Sequence, residues 1–278
     1  MIPARTATLH AEALRWASRG HYRQAEKAFR RALRIAKKSL PTEPLALATL
    51  LNDFGVLCKY TGRFTLARET YLRALKLVRR ERGGHRELVA GLYHNLGGVE
   101  HARGRYAQGL PYALRAVEMR KKIRPRDRLA LAADEAALAA ILVELGRIGE
   151  ARRLYLRALR VYRRKLGPDH YEVGAVLANL GALYSKAMRY DAAEHALRRS
   201  IAIIEETMGE NHPRIASALN NLAVVCGRRG KFREAAALYR RVLRLLKNQS
   251  ASTYPDAAIV KENREKLRRI ESQSLAAR

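Results

Sequence analysis

The chain repeats itself every 42 residues, and the interval does not slip. A glycine ahead of an apolar and a small residue recurs as Gly20, Gly62, Gly104 and Gly146, becomes Met188, and returns as Gly230. A small residue keeps the same step as Ala13, Gly55, Gly97, Ala139, Gly181 and Ala223. A third column runs Ala32, Ala74, Ala116 and Ala158, breaks at Ser200, and ends at Val242. A chemical site is built once; self-similarity at a fixed period of this length is the mark of stacked structural units. Within a unit the apolar spacing is helical: in ARRLYLRALRVYRRKL, residues Leu154, Leu156, Ala158, Leu159, Val161 and Tyr162 share one broad face. The glycine falls between two such segments, where a helix C-terminus accepts a left-handed residue cheaply. Small columns let helix backbones approach closely, so each unit reads as a helical hairpin that buries its apolar face only against its neighbours.

These columns, with the segments LGPDHYEVGAVLANL and MGENHPRIASALNNLA, resemble tetratricopeptide repeats and are most similar to the kinesin-light-chain type. The resemblance covers residues 6–257 as six copies, 6–47, 48–89, 90–131, 132–173, 174–215 and 216–257. It implies an all-α, right-handed superhelix of helical hairpins. Departures are Met188 for Gly, Gly109 for an Ala, and Glu12 for a Leu. After Pro255 the sequence DAAIVKENREKLRRIESQ begins like a further first helix. Asn263, Arg264 and Lys266 stand in its formerly apolar stretches, which predicts a polar capping helix and frayed tail over 258–278.

Searching for chemistry yields little. Phosphate-loop, zincin, nucleophile-elbow and paired C-x-x-C motifs are missing, so no enzyme, cofactor or metal is expected. Cys58 and Cys226 occupy one column four repeats apart and read as core thiols. His94 and His101 lie about 10.5 Å apart along one helix, too far to share a metal ion directly, and read as a pair lining a groove. His170 and His212 share a link position and read as helix-entry residues. The N-terminus carries no signal-like apolar run, and no apolar stretch is long enough to span a membrane. A cytoplasmic protein without membrane insertion is the expectation.

Two surfaces carry the functional expectations. Ahead of the small column stand Ala11, Asp53, Asn95, Ala137, Asn179 and Asn221. In related superhelical arrays asparagines here grip the backbone of an extended peptide, and the resemblance carries that role to Asn95, Asn179 and Asn221; an amide suits it because it donates and accepts at once. The alternative is that such an amide bonds a neighbouring helix. The groove lining is expected to include Asn52, Lys59, Tyr60, His94, His101, Ser185, Lys186, Asn220 and Arg228, opposed chiefly by Glu144. Kinesin-light-chain-like grooves take acidic peptides with an aromatic anchor, and this lining is compatible with one.

The second surface is an arginine column, Arg31, Arg73, Arg115, Arg157, Arg199 and Arg241, on the second helix of every hairpin. The chain holds 55 Lys and Arg against 26 Asp and Glu, a formal charge of +29. An ordinary solvated face is one reading of the column; a ridge for the phosphates of RNA or DNA is the other. The leading expectation is therefore a non-enzymatic adaptor holding an acidic protein or peptide in its groove. The alternative is nucleic-acid binding along the ridge.

Overall fold

A computed structural model of the chain describes residues 4–38, 44–79, 85–123, 127–212, 214–247, 262, 265–270 and 272. The described residues form helices α1 (Ala4–Ser18), α2 (Tyr22–Lys38), α3 (Pro44–Tyr60), α4 (Phe64–Val78), α5 (Arg86–Ala102) and α6 (Tyr106–Lys122). They continue as α7 (Arg128–Glu144), α8 (Ile148–Leu166), α9 (Tyr171–Lys186), α10 (Tyr190–Met208), α11 (Ile215–Arg228) and α12 (Phe232–Lys247). Each odd-numbered helix packs antiparallel on the even-numbered one that follows. The fold is all-α, a run of consecutive helical hairpins.

The turn column explains why every hairpin closes alike. Gly62 sits at φ +72°, with equally left-handed backbones at Gly20, Gly104, Gly146 and Gly230. There the Gly62 N–H donates to the Lys59 carbonyl at 3.1 Å and the Arg63 N–H to the Cys58 carbonyl at 2.9 Å. This is the Schellman pattern that satisfies the last carbonyls of a helix. Met188 makes the same two bonds through itself and Arg189, but at φ +56° with a side chain attached. A left-handed non-glycine residue costs about 1–2 kcal/mol, which the closed turn offsets.

The small columns are the cores of the hairpins. Ala13, Ala139 and Ala223 are fully buried, as are Ala32, Ala74 and Ala158. Gly55 packs under the ring of buried Tyr71, and Gly181 under Leu197 so closely that an added Cβ would fall 2.4 Å from the leucine Cγ. Cys58 and Cys226 are both free and fully buried, with burial raising their thiol pKa values to about 11 and about 12. His170 and His212 occupy the entries to α9 and α11, where each Nδ1 accepts a backbone N–H, from Glu172 at 3.2 Å and Arg214 at 3.3 Å.

The chain divides into two compact units, unit 1 ending at Asp127 and unit 2 beginning at Arg128. In unit 1, α1, α3 and α5 touch one another in sequence, whereas α2, α4 and α6 contact only first helices. In unit 2 the backbones of α7, α9 and α11 are likewise on the close side, while α10 and α12 meet through the long side chains of the Arg198–Glu234 and Arg241–Glu205 ion pairs. The side on which neighbours approach is the inside of the bend, so the first helices line the concave face of each unit. Of the stretch expected to cap the array, residues 265–270 are helical, and Ile270 packs on the core of α10 to α12; the remainder, apart from 262 and 272, lies outside the described residues. Among the described residues no helix is long and apolar enough to cross a membrane.

Candidate functional site

The concave face of unit 1 is closed on itself. His10 Nε2 donates to Asp53 Oδ2 at 2.7 Å, and Asn95 Nδ2 donates to Asn52 Oδ1 at 2.9 Å. Asn52 in turn donates to Asp53 Oδ1 at 3.2 Å. Each expected ladder residue therefore bonds a polar side chain on the preceding first helix. Asp53 and Asn95 thus bond polar groups on a neighbouring first helix. Beside this network lies Lys59, half-buried against Gly98, with no ion pair among the described residues; burial lowers its pKa. Tyr60 next to it is half exposed. His94 and His101 are half-buried on the same helix, and the His101 ring packs on Tyr106 at 5.4 Å between centroids.

Unit 2 differs at the same positions. At the register that Asn52 holds relative to Asn95, the preceding first helices carry Ala136 and Ala178, whose side chains have no polar atom. Asn179 is exposed, Asn220 and Asn221 are half-buried, and none of the three makes a hydrogen bond among the described residues. The Asn220 Oδ1 is buried without a partner there, and an unmade bond at such an atom costs about 1–3 kcal/mol. Lys186 donates to Glu144 at 2.6 Å, which removes that pair's charge from the face. Arg228 stays exposed and unpaired among the described residues. The column one residue ahead of the ladder reads His10, Asn52, His94, then Ala136, Ala178, Asn220.

The arginine column divides as well. In unit 2, Arg157 binds Glu135 at 2.8 Å, Arg199 binds Asp169, and Arg241 binds Glu205 at 2.6 Å and the Glu210 carbonyl at 2.9 Å. Glu135 is buried, so its guanidinium partner is held in place rather than loosely solvated. In unit 1, Arg115 makes an exposed pair with Glu118 on its own helix, while Arg31 and Arg73 are exposed with no ion pair among the described residues. The six arginines are alike in sequence register and unlike in availability.

Comparison with known proteins agrees with this architecture. A model of the MalT-like TPR region matches residues 1–166, and a tetratricopeptide-repeat model matches residues 128–206 and 172–248. No curated protein matches the chain. Among solved structures, BtubC (BKLC) from P. vanneervenii is 24% identical with a TM-score of 0.65, the match covering 84% of this chain and 98% of that one. RapI in its apo form gives a TM-score of 0.64 at 14% identity, covering 97% of each chain. A Podosopora anserina protein with nearly identical TPR-like repeats of kinesin-light-chain type gives 0.56 at 18%, covering 75% and 100%. At these identities the likeness is one of fold.

Proposed function

Since the chain belongs to the tetratricopeptide-repeat family, we propose that it is a non-catalytic adaptor whose unit 2 concave face holds an extended, acidic segment of a partner protein. The observation that carries this reading is the pair of amides at Asn179 and Asn221, which make no hydrogen bond among the described residues. A peptide backbone offers alternating N–H and C=O groups, which a primary amide can meet with both its donor and its acceptor. Arg228 supplies the charge that favours carboxylates, while the Glu144 carboxylate is occupied by Lys186. In unit 1 the half-buried Lys59, with no ion pair among the described residues, provides a second cation on a concave face. The nucleic-acid reading draws less support, because the unit 2 arginines on which a phosphate ridge depends are engaged by acids.

The test is binding of an array of extended peptides, acidic, neutral and basic, by wild type and by the Asn179→Ala/Asn221→Ala variant. Preferential capture of acidic peptides, weakened about tenfold or more in the variant while helicity is unchanged, is expected; that corresponds to about 1.4 kcal/mol. Equal capture by both proteins, or no preference for acidic peptides, overturns the reading.

A further inference from the structure

On the outer side of unit 1, one cleft departs from its neighbours. It lies between α2 and α4 over α3 and encloses about 470 Å³. Its floor is apolar, made by Leu33, Leu51, Phe54 and Leu66. Arg34, Lys37 and Arg73 stand around the rim, all exposed and with no ion pair or hydrogen bond among the described residues. Arg30 closes one side, held by Glu26 at 2.8 Å with its guanidinium 5.9 Å from the centre of the Phe54 ring. Glu69 is the one acid in the lining.

Register explains why the space is open. Thr70 and Leu51 stand where the next repeat has Tyr112 and Tyr93. Those two rings stack with centroids 6.3 Å apart, and Arg79 donates to the Tyr93 hydroxyl, so the equivalent space is filled. Between the last two repeats, Glu205 and Glu234 take the positions of Lys37 and Leu66 and neutralise Arg241 and Arg198. Of these three clefts, the one between α2 and α4 alone keeps an apolar floor together with uncommitted cations.

We propose that this cleft is a docking site for an acidic segment of a partner protein that seats one bulky apolar side chain on the floor. Carboxylates flanking that side chain meet Arg34, Lys37 and Arg73. The charge is complementary to an acidic chain, and the floor is what distinguishes a peptide from a nucleic acid. A phosphate backbone satisfies the cations but leaves the leucines uncovered, and the Phe54 face lies under Arg30, where no base can stack. The site is separate from the unit 2 groove and does not depend on it.

Fluorescence anisotropy decides the matter, using short labelled peptides of Asp and Glu with a central Phe, Leu or Ala, at about 150 mM salt so that generic attraction is screened. The Phe and Leu peptides are expected to bind wild type at least about tenfold more tightly than the Ala peptide. Thr70→Tyr fills the space as Tyr112 does one repeat later and is expected to erase that preference. Arg34→Glu with Lys37→Glu weakens the Phe and Leu peptides, and the preference for these two over the Ala peptide persists in the Asn179→Ala/Asn221→Ala variant. Should Thr70→Tyr expose the Cys58 thiol, and so fail to fold, the Phe-to-Ala comparison and the exposed charge-reversal pair carry the decision. Equal binding of the Phe and Ala peptides overturns the proposal. So does single-stranded RNA that binds more tightly than any peptide and responds to the charge reversals but not to a folded Thr70→Tyr.

Discussion

Glu194 shows what a single side chain can do in a repeat stack. It is nearly buried on α10 and receives Lys231 at 2.8 Å and 2.9 Å, together with Arg198 and Arg229. Burial alone raises a carboxyl pKa, but hydrogen bonds and charge from Lys231 and Arg198 outweigh it and bring the group from the ordinary 4.5 to about 2. A carboxylate whose folded pKa is depressed stabilises the fold fully above its unfolded value and loses that contribution as pH falls through the folded one. The window here is about 4.5 down to about 2. Urea titrations at pH 6 and pH 3 are therefore expected to show Glu194→Gln costing about 2 kcal/mol at pH 6 and distinctly less at pH 3. A cost independent of pH assigns the loss to shape instead of charge. The motif was open to sequence reading only in part: Arg63 reaches Glu26 across the same 37 residues, at 2.6 Å, but nothing in the periodicity says which repeats keep the acid.

At the scale of the helix pair, small residues decide how close two helices come. Gly181 and Gly91 look alike in sequence, both glycines inside first helices. At Gly181 an added Cβ meets Leu197 at 2.4 Å, and at Gly91 it meets nothing within 4 Å. Gly181→Ala is expected to destabilise the α9–α10 hairpin by about 1–3 kcal/mol, because overpacking forces a buried side chain or a backbone to shift. Gly91→Ala is expected to stabilise α5 by about 0.5–1 kcal/mol through the lower entropy cost of alanine in a helix. Thermal melts of both variants check the contrast, and a loss of similar size in both sinks it. The period marks Gly181 as a packing column and leaves Gly91 outside it, so this difference was readable from spacing.

For the whole molecule, a repeat array is held by nearest-neighbour contacts and opens in parts. The two buried thiols report on this separately, Cys58 in unit 1 and Cys226 in unit 2. With pKa values raised by burial to about 11 and about 12, both are expected to resist a thiol reagent at pH 8 until their surroundings open. In mass-resolved labelling, Gly181→Ala is expected to speed modification of Cys226 and leave Cys58 at its wild-type rate. Equal acceleration of both shows an array that opens as one cooperative body. The net charge also acts at this scale. A charge of +29 favours the approach of anionic partners of any kind, and in the function proposed above specificity would come from the groove and the cleft.

The sequence by itself determined the hairpins, their six matching turns, the buried small columns and the entry histidines, because each depends on residues a few positions apart whose spacing matches the helix. Only the tertiary structure decided which of the repeated polar residues are available. Asn95 and Asn179 share a register, yet one is bound to Asn52 and the other makes no hydrogen bond among the described residues. Arg73 and Arg157 share a register, yet one is exposed without an ion pair among the described residues and the other is held by Glu135. Availability is set by what the facing helix presents, 22 residues away within one hairpin for Arg157 and 43 residues away in the adjacent repeat for Asn95. Those partners are fixed by how the helices pack within a hairpin and between hairpins, which the period does not encode.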